Sequence, residues 1–406
     1  MRIWICTIVL CVMVVRGWAA PPRVFLLDGD RLEQSRQRLE QGDAALKPTL
    51  DQLKRNADQA MSVGPFSVVE KEITPPSGDK HDYMSQAPYF WPNPDTPNHL
   101  PYIRRDGQVN PEYHKIKDAD YVRSLCETTE LLAVAWYFTG DSRYADRAAL
   151  LLRTWFIDPK TRMNPNLNFG QAIPGINSGR GIGIIETHYM TDCIDAVGLL
   201  QGSHAWTDAD NRAIREWFSQ YVAWLRESSN GKDEAGWKNN HGTMYDVQLA
   251  TYAVFLGNDD VARDVLKQVP DKRYAVQIEP DGRQPLELER TKSWHYSIMN
   301  LRGHMYLAML AQRVGIDLWN AQTSDGRGIR KALDFLVPFA LGEKPWPYQE
   351  ISGFQPQMLH PLVRRAAQAW SDDHYRQLAA KLPPVPDSDL DQLVGTRLLP
   401  DKDARK

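Results

Sequence analysis

Two stretches of this 406-residue chain share one layout. "AWYFTGDSRYADRAALLL" (135–152) and "TYAVFLGNDDVARDVLKQV" (251–269) each run an apolar segment into glycine, then Asp or Asn, then a second segment with alanines at helical spacing. Glycine takes the left-handed conformation that ends a helix, and Asp or Asn caps the first turn of the next. So short a connection lays the two helices antiparallel and side by side. Repetition of such pairs predicts an all-α fold, an (α/α) toroid or incomplete α/α barrel with long active-site loops. The pairs are separated by irregular insertions, unlike arrays of fixed period. Further helical patterning covers 30–60, broken near Gly42 and Pro48, then 119–138, 142–156, 184–200, 208–226, 241–256, 259–268, 294–314 and 329–341. Strand signals are sparse and no Pro/Ser-rich linker divides the chain. The reading is one domain over 20–406.

Residues 1–19 differ in character. Arg2 precedes an apolar run, Ile3 to Val15, interrupted only by Thr7, and Gly17-Trp18-Ala19 offers small residues around a cleavage point. This is the layout of a secretory signal peptide, and the run is shorter than the roughly 20 residues a membrane span needs. Pro21 disfavours cleavage after Ala20, so cleavage is placed after Ala19. The expected location is periplasmic or secreted, with no membrane attachment after signal removal. Removal takes Arg2 and Arg16 and makes the chain two charges more negative than its full-length −3. So acidic a protein is a poor nucleic-acid binder. Cys6 and Cys11 leave with the signal; Cys126 and Cys193 remain in apolar helical contexts, where a disulfide and two buried thiols are equally compatible. No metal-type Cys spacing occurs, and neither a metal nor a cofactor is called for. A monomer or homodimer is expected.

Two insertions, 82–114 and 164–188, are polar, aromatic and rich in Pro and Gly. Loops this long inside a compact domain usually carry function. Tyr89 and Trp91 are candidate sugar platforms, and Arg104-Arg105 a candidate contact for a distal carboxylate. In the second loop Gly179-Arg180-Gly181-Ile182-Gly183 lacks dinucleotide-site spacing and reads as a close-approach loop, with Arg180 available to a substrate carboxylate. Gln171, Glu186 and His188 are expected in the same cleft.

"WKNNHGTMYDVQ" (237–248) begins a helix. Asn239 suits the N-cap, which leaves Asn240 and His241 in the first turn, where free N–H groups favour anions. His241, Tyr245, Gln248 and Tyr252 share one face and are expected to wall a cleft. "ELERTKSWHYSIMNLRGHMYLAML" (287–310) supplies Tyr296, Asn300 and His304 on a polar face. Arg290 precedes Ser293, a plausible N-cap, and a bend there brings Arg290 and Tyr296 into one cleft. Asn, His, Arg and Tyr together suit removal of a weakly acidic proton next to a carboxylate, such as C5–H of a uronate. Asn240 and Arg290 would stabilise the charge that grows on the carboxylate. A tyrosine is a weak base at neutral pH unless a nearby cation favours its phenolate, the part expected of Arg290 beside Tyr296.

"NNHGTMYDVQ" followed by "ELERTKSWHYS", with "DYMSQAPYFWPNPDTPNHLPYIRRDGQVNPE" and "NPNLNFGQAIPG…GRGIGIIET", resembles the alginate-lyase-type polysaccharide lyases of α/α-toroid fold, a branch that includes enzymes on alginate and on glucuronan. The resemblance covers about 80–310. It implies β-elimination of a 1,4-linked polyuronate, with Asn240 as carboxylate neutraliser, His241 as its helper or a base, and Arg290 beside Tyr296, the catalytic base and acid. The family's Arg-to-Tyr interval is one residue longer, which places Ser297 there and keeps His295 as a rival to Tyr296. The expected partner is an acidic polysaccharide, alginate rich in mannuronate first and glucuronan second. A glycoside hydrolase using Glu186, Glu287 or Glu289 and a non-catalytic polyuronate-binding protein are the competing readings. The mature chain is expected to begin at Ala20; N-terminal sequencing of protein recovered outside the cytoplasm checks this, and an intact Met1 would exclude it.

Overall fold

The computed structural model describes residues 21–383 and 390–395. The expected signal segment lies outside them. The chain opens with α1 (Gly29–Glu40) and α2 (Lys47–Ala60). Pro48 sits in the first turn of α2, where its missing N–H costs nothing, so it starts that helix instead of breaking one. The body follows as α3 (Asp118–Thr139), α4 (Ser142–Leu152), α5 (Met190–Leu200), α6 (Asp208–Glu227), α7 (Ser229–Gly236), α8 (Asn240–Leu256) and α9 (Asp259–Lys267). The short α10 (Ala275–Gln277) and α11 (Pro285–Leu288) lead to the long α12 (Ser293–Arg313) and then α13 (Ile329–Ala340), α14 (His360–Ala369), α15 (Asp373–Lys381) and α16 (Asp391–Val394). No described helix is long and apolar enough to cross a membrane.

Both glycine-centred hairpins form. Gly140 (φ 69°) ends α3 and Gly257 (φ 75°) ends α8; Asp141 then accepts from Arg143 N at 3.0 Å and Asn258 from Val261 N at 3.4 Å. α3 packs on α4 and α5, and α8 on α9 and α12. Differences from the sequence expectation lie at the ends. α4 stops at Leu152 and yields to a wider turn through Ile157, and the segment before Met190 is a 3₁₀ turn over Gly181–Thr187. Cys126 on α3 and Cys193 on α5 are free buried thiols with their sulfurs 3.2 Å apart.

The strands among the described residues belong to the two long insertions. β1 (Met84–Gln86) runs parallel to β4 (Phe169–Ala172), and β2 (Phe90–Trp91) pairs antiparallel with β3 (Ile103–Arg104). The β1–β4 pairing ties one insertion to the other. Gly183 lies so close to Gly170 that a side chain there would come within 2.6 Å of its carbonyl carbon. This is the close approach expected of the glycine cluster.

The first described residues are locked to α5 by one carboxylate. Asp195 is 1 % exposed and accepts backbone N–H from Phe25, Leu26 (2.9 Å) and Leu27 (2.6 Å). Burial pushes its carboxyl up; the three donors and Arg313 oppose that. Removing the acceptor would strand three buried N–H groups, at a cost of roughly 3–5 kcal/mol. Asp195→Ala is therefore expected to lower the urea midpoint at unchanged m-value, with Asp195→Asn intermediate. A midpoint equal to wild type would show that the segment is not held by this contact.

Candidate active site

A cavity of about 680 Å³ opens among the long loops and the starts of α8 and α12. Its wall includes Asn240, His241, Arg290, His295 and Tyr296, which the sequence reading placed together.

Asn239 caps α8, its side chain accepting from His241 N at 3.2 Å. Asn240 is fully buried. Its backbone N and its Nδ2 both donate to Glu287, at 2.6 and 2.7 Å. Glu287 is 1 % exposed; burial pushes its carboxyl up to about 7 against the pull of the two Asn240 donors, Arg290 and His241. His241 Nδ1 lies 2.9 Å from Oε1 of Glu234, a fully buried acid on α7. That contact fixes the imidazole and leaves Nε2 as its other functional nitrogen.

Arg290 and Tyr296 meet as the bend before α12 requires. The guanidinium carbon stands 4.0 Å from the centre of the Tyr296 ring. Lys292, not Ser293, occupies the cap position; Ser293 is the first helical residue and donates to the Gln349 carbonyl at 2.7 Å. Arg290 Nε and Nη2 hold Asp106 at 3.0 and 2.8 Å. Burial pushes the Asp106 carboxyl up, but this two-pronged contact holds it well below the ordinary carboxylate range. The Tyr296 hydroxyl lies 2.8 Å from that of Tyr89. Burial, then Tyr89, pushes the Tyr296 phenol well above its usual value, and the downward pull of Arg290 does not offset them. Arg290 acts on the phenol in the direction expected of it, but burial outweighs it, and the resting group is a protonated phenol.

Other expected contacts divide. Tyr89 lines the cavity and sets its hydroxyl against that of Tyr296. Gln171 holds a left-handed backbone (φ 49°), an arrangement costing about 1–3 kcal/mol. It is fixed by Ser85 Oγ, which accepts its N–H at 2.7 Å, and by Arg180, whose Nη2 donates to Oε1 at 2.8 Å. Arg180 and Arg104 line the cavity, Arg104 with Asp106 at 2.6 Å. Glu186 reaches the wall but is 4 % exposed. Its carboxylate accepts from Tyr83 (2.9 Å), Ser85 (2.5 Å) and Tyr113 (3.3 Å), which makes it a brace between the insertions, not an open substrate contact.

Three expected contacts fall outside the cavity wall: Trp91, Arg105 and Tyr245. Trp91 donates to the Gln108 carbonyl, with Arg105 5.1 Å from its ring centre. Tyr245 is 4 % exposed and its hydroxyl donates to the Leu225 carbonyl at 2.8 Å. Gln248 and Tyr252 are likewise turned inward onto Thr187. Asn300 donates to Gln277 and Gln284, and burial holds the His304 imidazole down to about 3. The polar faces expected to wall the cleft thus serve the interior beyond the first turn of each helix. Sequence reading missed Trp237, 37 % exposed in the wall, Glu234 altogether, and the use made of Glu287. The bulky residue beside the Asn-Asn-His run was the available signal for Trp237; the two acids offered none. Among the described residues no group of three or more His, Cys, Asp or Glu is placed to hold a metal.

No curated protein matches the chain. Among solved structures, an alginate lyase from Bacteroides ovatus is 39 % identical, with 92 % of this chain and 99 % of that one covered and a TM-score of 0.88. Alginate lyase A1-III from Sphingomonas species A1 is 16 % identical over 91 % of this chain and 98 % of its own, TM-score 0.52. A histidine-to-alanine variant of A1-III complexed with tetrasaccharide is 18 % identical over the same shares, TM-score 0.53. These more distant structures carry the fold, an α/α toroid. The alginate lyase family profile matches residues 67–346, and with it the chain belongs to the alginate lyase family and is a polysaccharide lyase.

Proposed function

We propose that the protein cleaves a 1,4-linked polyuronate by β-elimination, leaving a 4,5-unsaturated uronate at the new end. Mannuronate-rich alginate is the first substrate and glucuronan the second. The observation that carries this reading is Tyr296 stacked on Arg290, hydroxyl to hydroxyl with Tyr89, in the cavity that also holds Asn240 and His241. Arg104, Arg180, Arg290 and Arg302 give that cavity cationic groups suited to an acidic polymer, although the whole chain is mildly acidic. The Bacteroides ovatus and A1-III structures are alginate lyases, which supports alginate as the polymer. Export to the periplasm or medium, where such a polymer is met, completes the proposal.

In this mechanism Asn240 and His241 neutralise the uronate carboxylate, which makes C5–H acidic enough to lose. Tyr296 takes that proton and returns one to O4 as the glycosidic bond breaks. Because burial keeps the resting phenol protonated, ionisation must be assisted. Arg290 lies under the ring, and the Tyr89 hydroxyl is placed to donate to the phenolate. Mannuronate and glucuronate share the C5 face that one tyrosine serves; guluronate presents the opposite face, toward which His241 is the available base. The hydrolase reading needs two open carboxylates and is set aside: Glu186 and Glu287 are buried and engaged with Tyr83, Ser85, Tyr113 and Asn240, which leaves Glu289 as the one of the three acids open in the wall.

Tyr296→Phe is expected to lose about 10²- to 10⁴-fold in kcat while oligosaccharide binding is kept. Ultraviolet absorbance of the unsaturated product measures it, and near-normal turnover on every polyuronate would move the role to His295 or His241. His241→Ala separates two assignments. An equal loss on mannuronate, glucuronate and guluronate polymers fits carboxylate neutralisation; a loss confined to guluronate fits a base for that sugar alone.

A further inference from the structure

Asn240 contributes an amide with two unlike ends, and only one suits an anionic substrate. With Nδ2 on Glu287, the remaining end is Oδ1, an acceptor that is buried and has no hydrogen-bond partner among the described residues. An acceptor turned to a uronate carboxylate repels it; the NH₂ end attracts it. The two ends are nearly isosteric, so half a turn about the amide exchanges them without moving a neighbour.

After that exchange Oδ1 faces Glu287 Oε2 across the 2.7 Å that Nδ2 now spans. Two bare acceptors at that distance repel, whereas a protonated carboxyl makes an O–H···O bond of ordinary length. The other carboxylate oxygen keeps the Asn240 backbone N–H at 2.6 Å in either arrangement. We propose that Glu287 works as a neutral carboxylic acid that donates to Asn240 Oδ1 and thereby aims the Asn240 NH₂ at the substrate carboxylate. Glu287 is a positioning residue, and the inference rests on the role given to Asn240 above.

The surroundings fit a proton held there. Glu287 is 1 % exposed, and burial raises its carboxyl to about 7. The charged groups that act on it are Arg290 in its own connection and His241 on α8, with Glu234 of α7 behind His241; Glu289, His295 and Tyr296 line the cavity together with Arg290 and His241. Arg290 and His241 pull it toward the carboxylate, as do both Asn240 donors. Exchange of the amide removes one of those donors, which favours the acid form further. As pH rises through this range the proton is lost, the amide returns to its Nδ2-on-Glu287 orientation, and the neutraliser is misdirected.

Glu287→Gln tests this directly. Its NH₂ end donates permanently to Asn240 Oδ1 while its carbonyl accepts from the Asn240 backbone, so it mimics the acid and cannot ionise. The kcat/KM ratio of Glu287→Gln to wild type, read on mannuronate-rich alginate, is expected near one at about pH 6 and about tenfold higher at about pH 8, since kcat/KM reports ionisations of the free enzyme. Taking the ratio cancels ionisations common to both proteins. Glu287→Ala, which keeps no donor, is expected to lose activity at both pH values. A ratio that stays flat with pH, or a Glu287→Gln enzyme as inactive as Glu287→Ala throughout, overturns the neutral-acid role. Asn240→Ala is measured beside them. If it turns over like wild type, the assignment of Asn240 falls and this inference with it; if it is impaired while the ratio is flat, the role of Glu287 alone falls.

Discussion

Helix α8 is buried on every side, from Asn240 through Phe255 apart from His241. A helix in that position cannot leave a polar group to water, so each polar side chain needs a partner inside the fold. Thr243 donates to Gln277, Asp246 holds Arg273 at 2.7 Å, and Gln248 receives Thr187 at 2.9 Å. These partners come from α10, from the turn before it and from the 3₁₀ turn ahead of α5. The surrounding elements are thereby placed by what α8 must satisfy. The cavity lies where this enclosure ends, at the first turn, and Asn240 and His241 are the residues of α8 that reach its wall.

The same constraint explains what could be read in advance. Glycine followed by Asp or Asn between apolar segments is a local signal, and the two hairpins follow from backbone preference without long-range contacts. Asn240, His241, Arg290 and Tyr296 were legible because each sits at a helix start or in a connection, where a polar residue has few structural reasons to be. Tyr245, Gln248 and Tyr252 were misassigned for a related reason. A helical wheel groups them on one face but cannot say whether that face meets a cavity or another helix, and here it meets Leu225 and Thr187. Trp91 was misassigned by a single step along an extended segment, whose neighbouring side chains diverge.

Glu234 and Glu287 were hidden by long-range geometry. Glu287 lies 47 positions from Asn240, and Glu234 belongs to a helix of only 8 residues with an ordinary polar sequence. Nothing local distinguishes an acid that will be buried against an amide or an imidazole from one on the surface. Their burial is nevertheless what gives Asn240 and His241 defined orientations. The site therefore has two tiers, cleft-facing groups that are legible by type and buried acids that emerge only from the packing.

Glu186 joins three chain segments at one carboxylate: Ser85 in β1 with Tyr83 just before it, Tyr113 at the far end of the same insertion, and its own 3₁₀ turn in the second insertion. Ser85 also receives the strained Gln171, and β1 pairs with β4. The two insertions are consequently one part in the engineering sense, although 49 residues of sequence separate 114 from 164. Transplanting either loop into a relative would carry half of a buried hydrogen-bond set and leave the other half unmatched. Exchange of substrate preference among such enzymes would have to move both loops as a pair, with the carboxylate that joins them.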